Sequence, residues 1–261
     1  MRVIIKKNHN DCSEWVANYI KIKINESQIR NKKFVLGLPT GSTPILTYKK
    51  LIEYYKNKTI SFKNVITFNM DEYVGLSPEN EQSYHYFMWN NFFKDIDIKK
   101  ENVNILNGMN ENIDEECKNY EEKIKNVGGI NLFLGGVGSD GHIAFNEPSS
   151  SLSSRTRIKT LNSSTLKDNS RFFNNDINLT PKTALTVGIG TIMDSEEIII
   201  LATGLSKAKA VQDVIEGPVT HNSPISILQM HKKAIIVCDE EATDELKVKT
   251  VRYFKDLEKF N

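Results

Sequence analysis

No apolar run in this chain approaches the roughly twenty residues that a membrane-crossing helix requires, so the sequence is not read as a membrane protein. Cysteine is scarce as well. Cys12, Cys117 and Cys238 form an odd, widely spaced set with no Cys-x-x-Cys pair, which argues against a disulfide framework and against structural zinc. Charge of one sign is missing too: the net charge is +1 and there is no long basic arm, so nothing suggests nucleic acid and any anion must be recognised locally. The opening Met-Arg-Val-Ile-Ile-Lys-Lys is too short in apolar residues for a signal peptide and suits a first strand, which points to the cytoplasm. No repeat or linker interrupts the 261 residues, and 39% hydrophobic with 26% charged residues describes one globular domain over 1–261.

What is present is alternation. Asp11 to Glu14 resembles a capping box ahead of Trp15, Tyr19, Ile20 and Ile24 at helical spacing, which predicts a helix to about Gln28. Phe34 to Leu38 and Val65 to Met70 read as buried strands, Ile113 to Val127 as an amphipathic helix, and Ser83 to Phe93 as aromatic helical packing. Strands at 103–106, 183–187, 197–203 and 234–238 follow, with helices at 206–216 and 243–260. Strands alternating with helices imply an α/β fold with a parallel sheet covered on both faces.

The chemistry gathers in Asn131 to Pro148. A short apolar strand runs into glycines, and within eight positions the loop carries Asp140, His142 and Glu147. Two carboxylates bracketing a histidine can tune a proton shuttle. Gly136 to Gly141 matches G-x-G-x-x-G by letters, but Pro148 and serines follow where a dinucleotide fold needs a helix and a distal acid. A metal held by His142 with a carboxylate has no paired histidine to complete it, because His9, His85, His221 and His231 are scattered singly. A structural loop histidine remains an alternative on spacing alone. Asp71, at the end of the 65–70 strand, stands where open α/β sheets bind ligands.

Pro39-Thr40-Gly41-Ser42-Thr43-Pro44 joins a strand to a helix and makes either an anion cradle or an ordinary turn of small residues. It lacks the Gly-Lys-Ser/Thr of a P-loop, so a single phosphate suits it better than a nucleoside triphosphate. A helix terminus supplies at most about 2 kcal/mol, whereas micromolar binding needs about 8. Cations must therefore help, and Arg171 and Lys207 are the candidates. Arg155, Arg157 and Lys159 alternate along a possible strand and form a one-sided strip that is either a solvated face or a second anion site. The polar stretch from Asn162 to Asn178, within a segment of about 161–181, reads as a mobile lid carrying Arg171.

Four motifs then combine: Leu-Pro-Thr-Gly-Ser-Thr-Pro at 38–44, Phe-Asn-Met-Asp-Glu-Tyr-Val-Gly-Leu at 68–76, the loop Gly138 to Pro148, and Ser-Arg-Thr-Arg-Ile-Lys-Thr at 154–160. In this order they resemble the glucosamine-6-phosphate deaminase family, and the likeness extends beyond Leu246 to Thr250, nearly the whole chain. The resemblance implies a modified Rossmann-like open parallel-sheet sandwich, no metal or other cofactor, and a homo-oligomer that is often a hexamer. It implies conversion of glucosamine 6-phosphate to fructose 6-phosphate and ammonia, with Asp71, Asp140, His142 and Glu147 catalytic. Thr40, Gly41, Ser42, Thr43, Arg171 and Lys207 would hold the phosphate. Ser150, Arg157, Lys159, Thr160 and Tyr253 match an effector site for N-acetylglucosamine 6-phosphate at a subunit interface. Thr220 to Pro224 departs from a His-Met-Trp run common in the family.

Two other readings compete. A 6-phosphogluconolactonase shares a related loop but needs no base for a sugar C2 proton, and both Asn146-Glu147-Pro148 and the run Met70 to Tyr73 argue against it. A catalytically silent sugar-phosphate sensor would have no use for the acid and base set.

Overall fold

Strands that read as unbroken apolar runs must be covered on both faces, and alternation along each strand divides their side chains between two cores. The computed structural model describes residues 1–260; Asn261, the last residue of the expected domain, lies outside the described residues. In chain order come β1 (Arg2–Lys6), α1 (His9–Ile29), β2 (Phe34–Leu38), α2 (Ile45–Lys56), β3 (Val65–Asn69), β4 (Asp71–Tyr73), α3 (Tyr84–Asn91), β5 (Val103–Asn104) and α4 (Ile113–Asn126). Then follow β6 (Leu132–Gly136), β7 (Arg157–Thr160), α5 (Ser163–Ser170), β8 (Thr183–Thr186), α6 (Ile189–Met193), β9 (Glu197–Ala202), α7 (Ala208–Ile215), β10 (Ala234–Asp239) and α8 (Val248–Leu257).

Ile198, Ile200 and Ala202 of β9 join one core with Tyr120 of α4, Ile192 of α6 and Val211 of α7. Ile199 and Leu201 join the other, with Ile20 of α1, Leu51 of α2 and Met88 of α3. A fully buried Ile or Leu contributes roughly 1.5–3 kcal/mol, so packing on the two faces holds the layers together.

The main sheet has seven parallel strands in the order β1-β10-β9-β6-β2-β3-β5. From β2 the chain steps outward to β3 and β5; from β6 it steps the other way to β9 and β10. The order therefore reverses between the neighbours β2 and β6, and the loops leaving their carboxyl ends diverge to open a crevice there.

A second sheet corrects the expectation of one parallel array. Strands β4, β8 and β7 pair antiparallel, with Asp71 opposite Thr186 and Arg157 also opposite Thr186 on the far side of β8. The helix between β7 and β8 does not act as a crossover, so these strands return beside one another. Only Met70 separates β3 from β4, and its carbonyl accepts from Val187 N at 2.8 Å, which joins the small sheet to the end of the large one. The first helix also starts earlier than the Asp11 box predicts: extended Asn8 caps it, its Oδ1 accepting from Asp11 N at 3.0 Å. The expected 243–260 helix is interrupted, because Lys247 is extended and α8 begins only at Val248.

Candidate active site

A cavity of about 350 Å³ occupies the crevice, at the lower end of the range for small-ligand pockets. Four strand ends supply it: Thr40, Gly41, Ser42 and Thr43 after β2, Met70 and Asp71 after β3, Gly136 to Ser139 with His142 after β6, and Lys207 after β9. Arg171 and Phe172 come in from the segment after α5. Asp71, His142 and all six residues expected to hold phosphate thus line one space. Asp140, Glu147 and the five expected effector residues do not line it.

The 40–43 loop turns at Gly41, whose φ of +90° a side chain would disfavour. Thr43 is fixed through its carbonyl, 2.9 Å from Nε2 of His9. No side chain caps the first turn of α2 among the described residues; Ile45 N turns back to Ser42 O at 3.4 Å, and the amides that follow it suit an anion. On the opposite wall, the Asp239 carboxylate accepts from Gly204 N at 2.9 Å and orients the turn Leu205–Lys207.

His142 is half-buried, and its Nδ1 lies 2.6 Å from Oδ1 of Asp140. That hydrogen bond holds the Asp140 carboxyl below its usual range, so Asp140 is the anion that accepts the hydrogen bond from Nδ1–H and leaves Nε2 for a ligand. Gly138 makes the ring's position possible, because a Cβ there would fall 2.1 Å from His142 Cε1. Glu147, the third of the expected trio, shares no hydrogen bond with His142 among the described residues; its Oε1 accepts from Asn162 N at 3.1 Å and Thr165 Oγ1 at 2.6 Å, so it anchors the start of α5.

Asp71 is 6% exposed, and its Oδ1 finds no hydrogen-bond partner among the described residues. Burial first, then the neighbouring Glu72 charge, pushes its carboxyl well above the ordinary carboxylate range. A buried carboxyl of raised proton affinity facing a cavity suits a general base working near neutrality.

Sequence reasoning assigned the aromatic 83–93 stretch to packing, yet Tyr84 and Phe87 line the cavity with Tyr73 and Phe145. Tyr73 and Tyr84 lie 4.8 Å apart between ring centroids. Their spacing, 84 and 87 on the helix after the Asp71 strand, was the available signal. The lid segment contains a helix, with Asn162 Oδ1 accepting from Thr165 N at 2.9 Å; Thr165 and Asn169 on one face of α5 line the cavity. The run Asn162-Ser163-Ser164-Thr165 carried that cap signature.

Three of the expected effector residues share β7 and one lies on α8. Ser150 is buried, Arg157 and Lys159 are half-buried on β7, Thr160 is exposed beside them, and Tyr253 lies exposed on α8, a helix packed on β1. Arg155, expected on the same strip, precedes β7 and pairs with Asp194 at 2.5 Å. Among the described residues there is no group of three or more His, Cys, Asp or Glu disposed to hold a metal ion. Nor is any helix long and apolar enough to cross a membrane among those residues.

Comparison with known proteins bears on this arrangement. The glucosamine-6-phosphate deaminase of Glaesserella parasuis is 64% identical over 95% of this chain and 96% of its own length. That of Phocaeicola vulgatus is 60% identical over 100% of both. Among solved structures, a protein described as a monomeric glucosamine-6-phosphate deaminase superposes with a TM-score of 0.90 at 39% identity, covering 94% of this chain and 100% of that one. A 6-phosphogluconolactonase from Leishmania guyanensis shares the fold alone, at a TM-score of 0.72 and 20% identity over 95% and 99% of the two chains. The family described as glucosamine-6-phosphate isomerases/6-phosphogluconolactonase matches residues 7–237, and the chain belongs to it.

Proposed function

We propose that the protein converts α-D-glucosamine 6-phosphate and water to D-fructose 6-phosphate and ammonia. The observation that carries this is the buried carboxyl of Asp71 facing the same cavity as His142 and the 40–43 loop. The loop with Arg171 and Lys207 anchors the phosphate, and the far end of the sugar meets the proton-transfer groups. Imidazole Nε2 of His142 takes the anomeric hydroxyl proton and delivers it to the ring oxygen as the C1–O5 bond breaks. Asp71 then takes the C2 proton while the aldehyde oxygen takes one from the substrate's own C2 ammonium group, giving a neutral enolamine. Returning the proton from Asp71 to C1 leaves an iminium at C2. Water adds there, the C2–N bond breaks and ammonia departs. Ring opening and isomerisation are proton transfers at His142 and Asp71, and the route calls on no metal.

The cavity side of the reading is tested by incubating the protein separately with glucosamine 6-phosphate and with 6-phosphogluconolactone. Ammonia with fructose 6-phosphate from the first supports it; lactone hydrolysis without ammonia release overturns it.

We further infer activation by N-acetylglucosamine 6-phosphate through Ser150, Arg157, Lys159, Thr160 and Tyr253. Desolvation of half-buried Arg157 weighs against its charge and favours an anion arriving beside it, while the buried Ser150 Oγ has no partner among the described residues. Tyr253 shares no hydrogen bond or ring contact with the other four among the described residues, which suits a site shared between chains of a homo-oligomer such as a hexamer. The three cysteines are free and buried, in keeping with a reducing cytoplasm.

A further inference from the structure

Glu72 is 2% exposed and turns away from the cavity, on the face of β4 opposite Asp71 and Tyr73. Its side chain accepts three backbone hydrogen bonds: Oε1 from Tyr73 N at 2.8 Å and Tyr84 N at 2.9 Å, and Oε2 from His85 N at 2.8 Å. Two of these donors open α3. Ser83 Oγ accepts from the third, Tyr86 N, at 3.0 Å, and Ser83 O accepts from Phe87 N at 3.0 Å, so every amide of the first turn is satisfied. The same helix presents Tyr84 and Phe87 to the cavity.

We propose that Glu72 is a positioning residue for the base at Asp71: it clamps β4 to the start of α3 and keeps a carboxylate held by three backbone amides beside the reacting carboxyl. The proposal rests on the deaminase reading for its consequence in turnover, though not for its effect on the Asp71 proton. Two adjacent buried carboxyls do not share charge equally. Glu72 has three N–H donors and a helix N-terminus, all of which favour its ionised form, whereas Asp71 Oδ1 has no partner among the described residues. Both carboxyls are raised by burial, but those hydrogen bonds oppose the rise at Glu72 while the Glu72 charge adds to it at Asp71. Glu72 is therefore the first of the two to ionise, and Asp71 acts as the base once it has lost its own proton at higher pH.

Other groups act on Asp71 from the surrounding elements. Tyr48 of α2, Tyr73 of β4, Tyr84 of α3 and Tyr120 of α4 are neutral, each held above its usual range chiefly by burial. His142, Arg171, Lys207 and Glu81 face the same cavity, and His85 follows Tyr84 on α3. The cations and His142 favour ionised Asp71; Glu72 is the anion next to it in the chain that opposes them.

Glu72→Gln keeps the size of the side chain and removes the charge. Glu72→Asp keeps the charge and shortens the reach to the three amides. Two readouts apply to the parent and both variants. One is the pH profile of ammonia release from glucosamine 6-phosphate. The other is the infrared carbonyl band of protonated Asp71 in the ligand-free protein, assigned by its loss in Asp71→Asn. In Glu72→Gln the band titrates at lower pH than in the parent, the acidic limb of kcat moves the same way, and kcat at pH 7.5 falls ~10- to 100-fold with KM within ~3-fold. In Glu72→Asp the band keeps its parent midpoint although kcat falls. A band midpoint unmoved in Glu72→Gln overturns the proposal, as does an equal shift in both variants, since a purely structural cap would not distinguish charge from length. If the parent releases no ammonia, the functional reading fails while the infrared titration still decides the role of Glu72.

Discussion

The cavity and the basic strip on β7 are built in opposite ways. The 40–43 loop, Asp71, His142 and Lys207 converge within one chain from strand ends around the reversal of strand order, and Arg171 joins them from the segment after α5. The expected effector residues are split: Arg157, Lys159 and Thr160 lie on the outer strand of the small sheet, whereas Tyr253 lies on a helix packed on β1, the opposite edge of the large sheet from β5. A parallel sheet assembles the first kind of site as a consequence of folding, whereas the second kind needs contributions from elsewhere. One solved relative is described as monomeric, so the fold does not by itself dictate an oligomer. Catalysis and its regulation accordingly make different demands on assembly.

That contrast breaks most visibly at Asp71. Asp71→Asn is expected to lower kcat by at least ~10²- to 10⁴-fold while calorimetry still detects sugar-phosphate binding; near-parent ammonia release would remove the base from the account. At the other end of the same cavity, Lys207→Ala is expected to raise KM ~10- to 100-fold, the worth of a charged hydrogen bond, with a much smaller change in kcat. An unchanged KM would mean that the phosphate is held elsewhere. On the strip, Arg157→Ala is expected to abolish the shift in substrate half-saturation produced by N-acetylglucosamine 6-phosphate, and dilution to single chains is expected to do the same. A response that survives both would make the strip a solvated face.

The smallest effect is on stability. A carboxyl whose proton affinity is raised in the folded state binds more protons there than when unfolded, so stability falls as pH rises from the unfolded value near 3.8 through the higher folded one. Asp71→Asn removes that penalty. Its melting temperature should exceed the parent's at pH 8, with the difference closing toward pH 3; a variant less stable at pH 8 would show that Asp71 is not held against its preference.

Period and composition made the strands of the large sheet legible, because a strand covered on both sides is apolar along its length, as in β9 from Ile198 to Ala202 and β10 from Ala234 to Cys238. The phosphate loop was legible from small residues between a strand and a helix. The small sheet was not, since nothing in Asp71-Glu72-Tyr73 marks a strand that leaves the sheet after a single intervening residue. Glu147 lay close to His142 in sequence and was grouped with it, yet the backbone carries it to α5, where it meets an amide and a hydroxyl instead. Glu72 was unreadable for a related reason: its partners are backbone amides, which have no sequence identity.

The central claim is that one sugar phosphate touches all of these groups together. A crystal structure of the protein with the open-chain alcohol analogue of glucosamine 6-phosphate, in which C1 is already reduced, tests it most directly. The account predicts phosphate on the 40–43 loop with Arg171 and Lys207, C2 against the carboxylate of Asp71, and O1 or O5 within hydrogen-bonding distance of His142. An analogue bound with its phosphate outside the crevice, or with C2 facing away from Asp71, would contradict it.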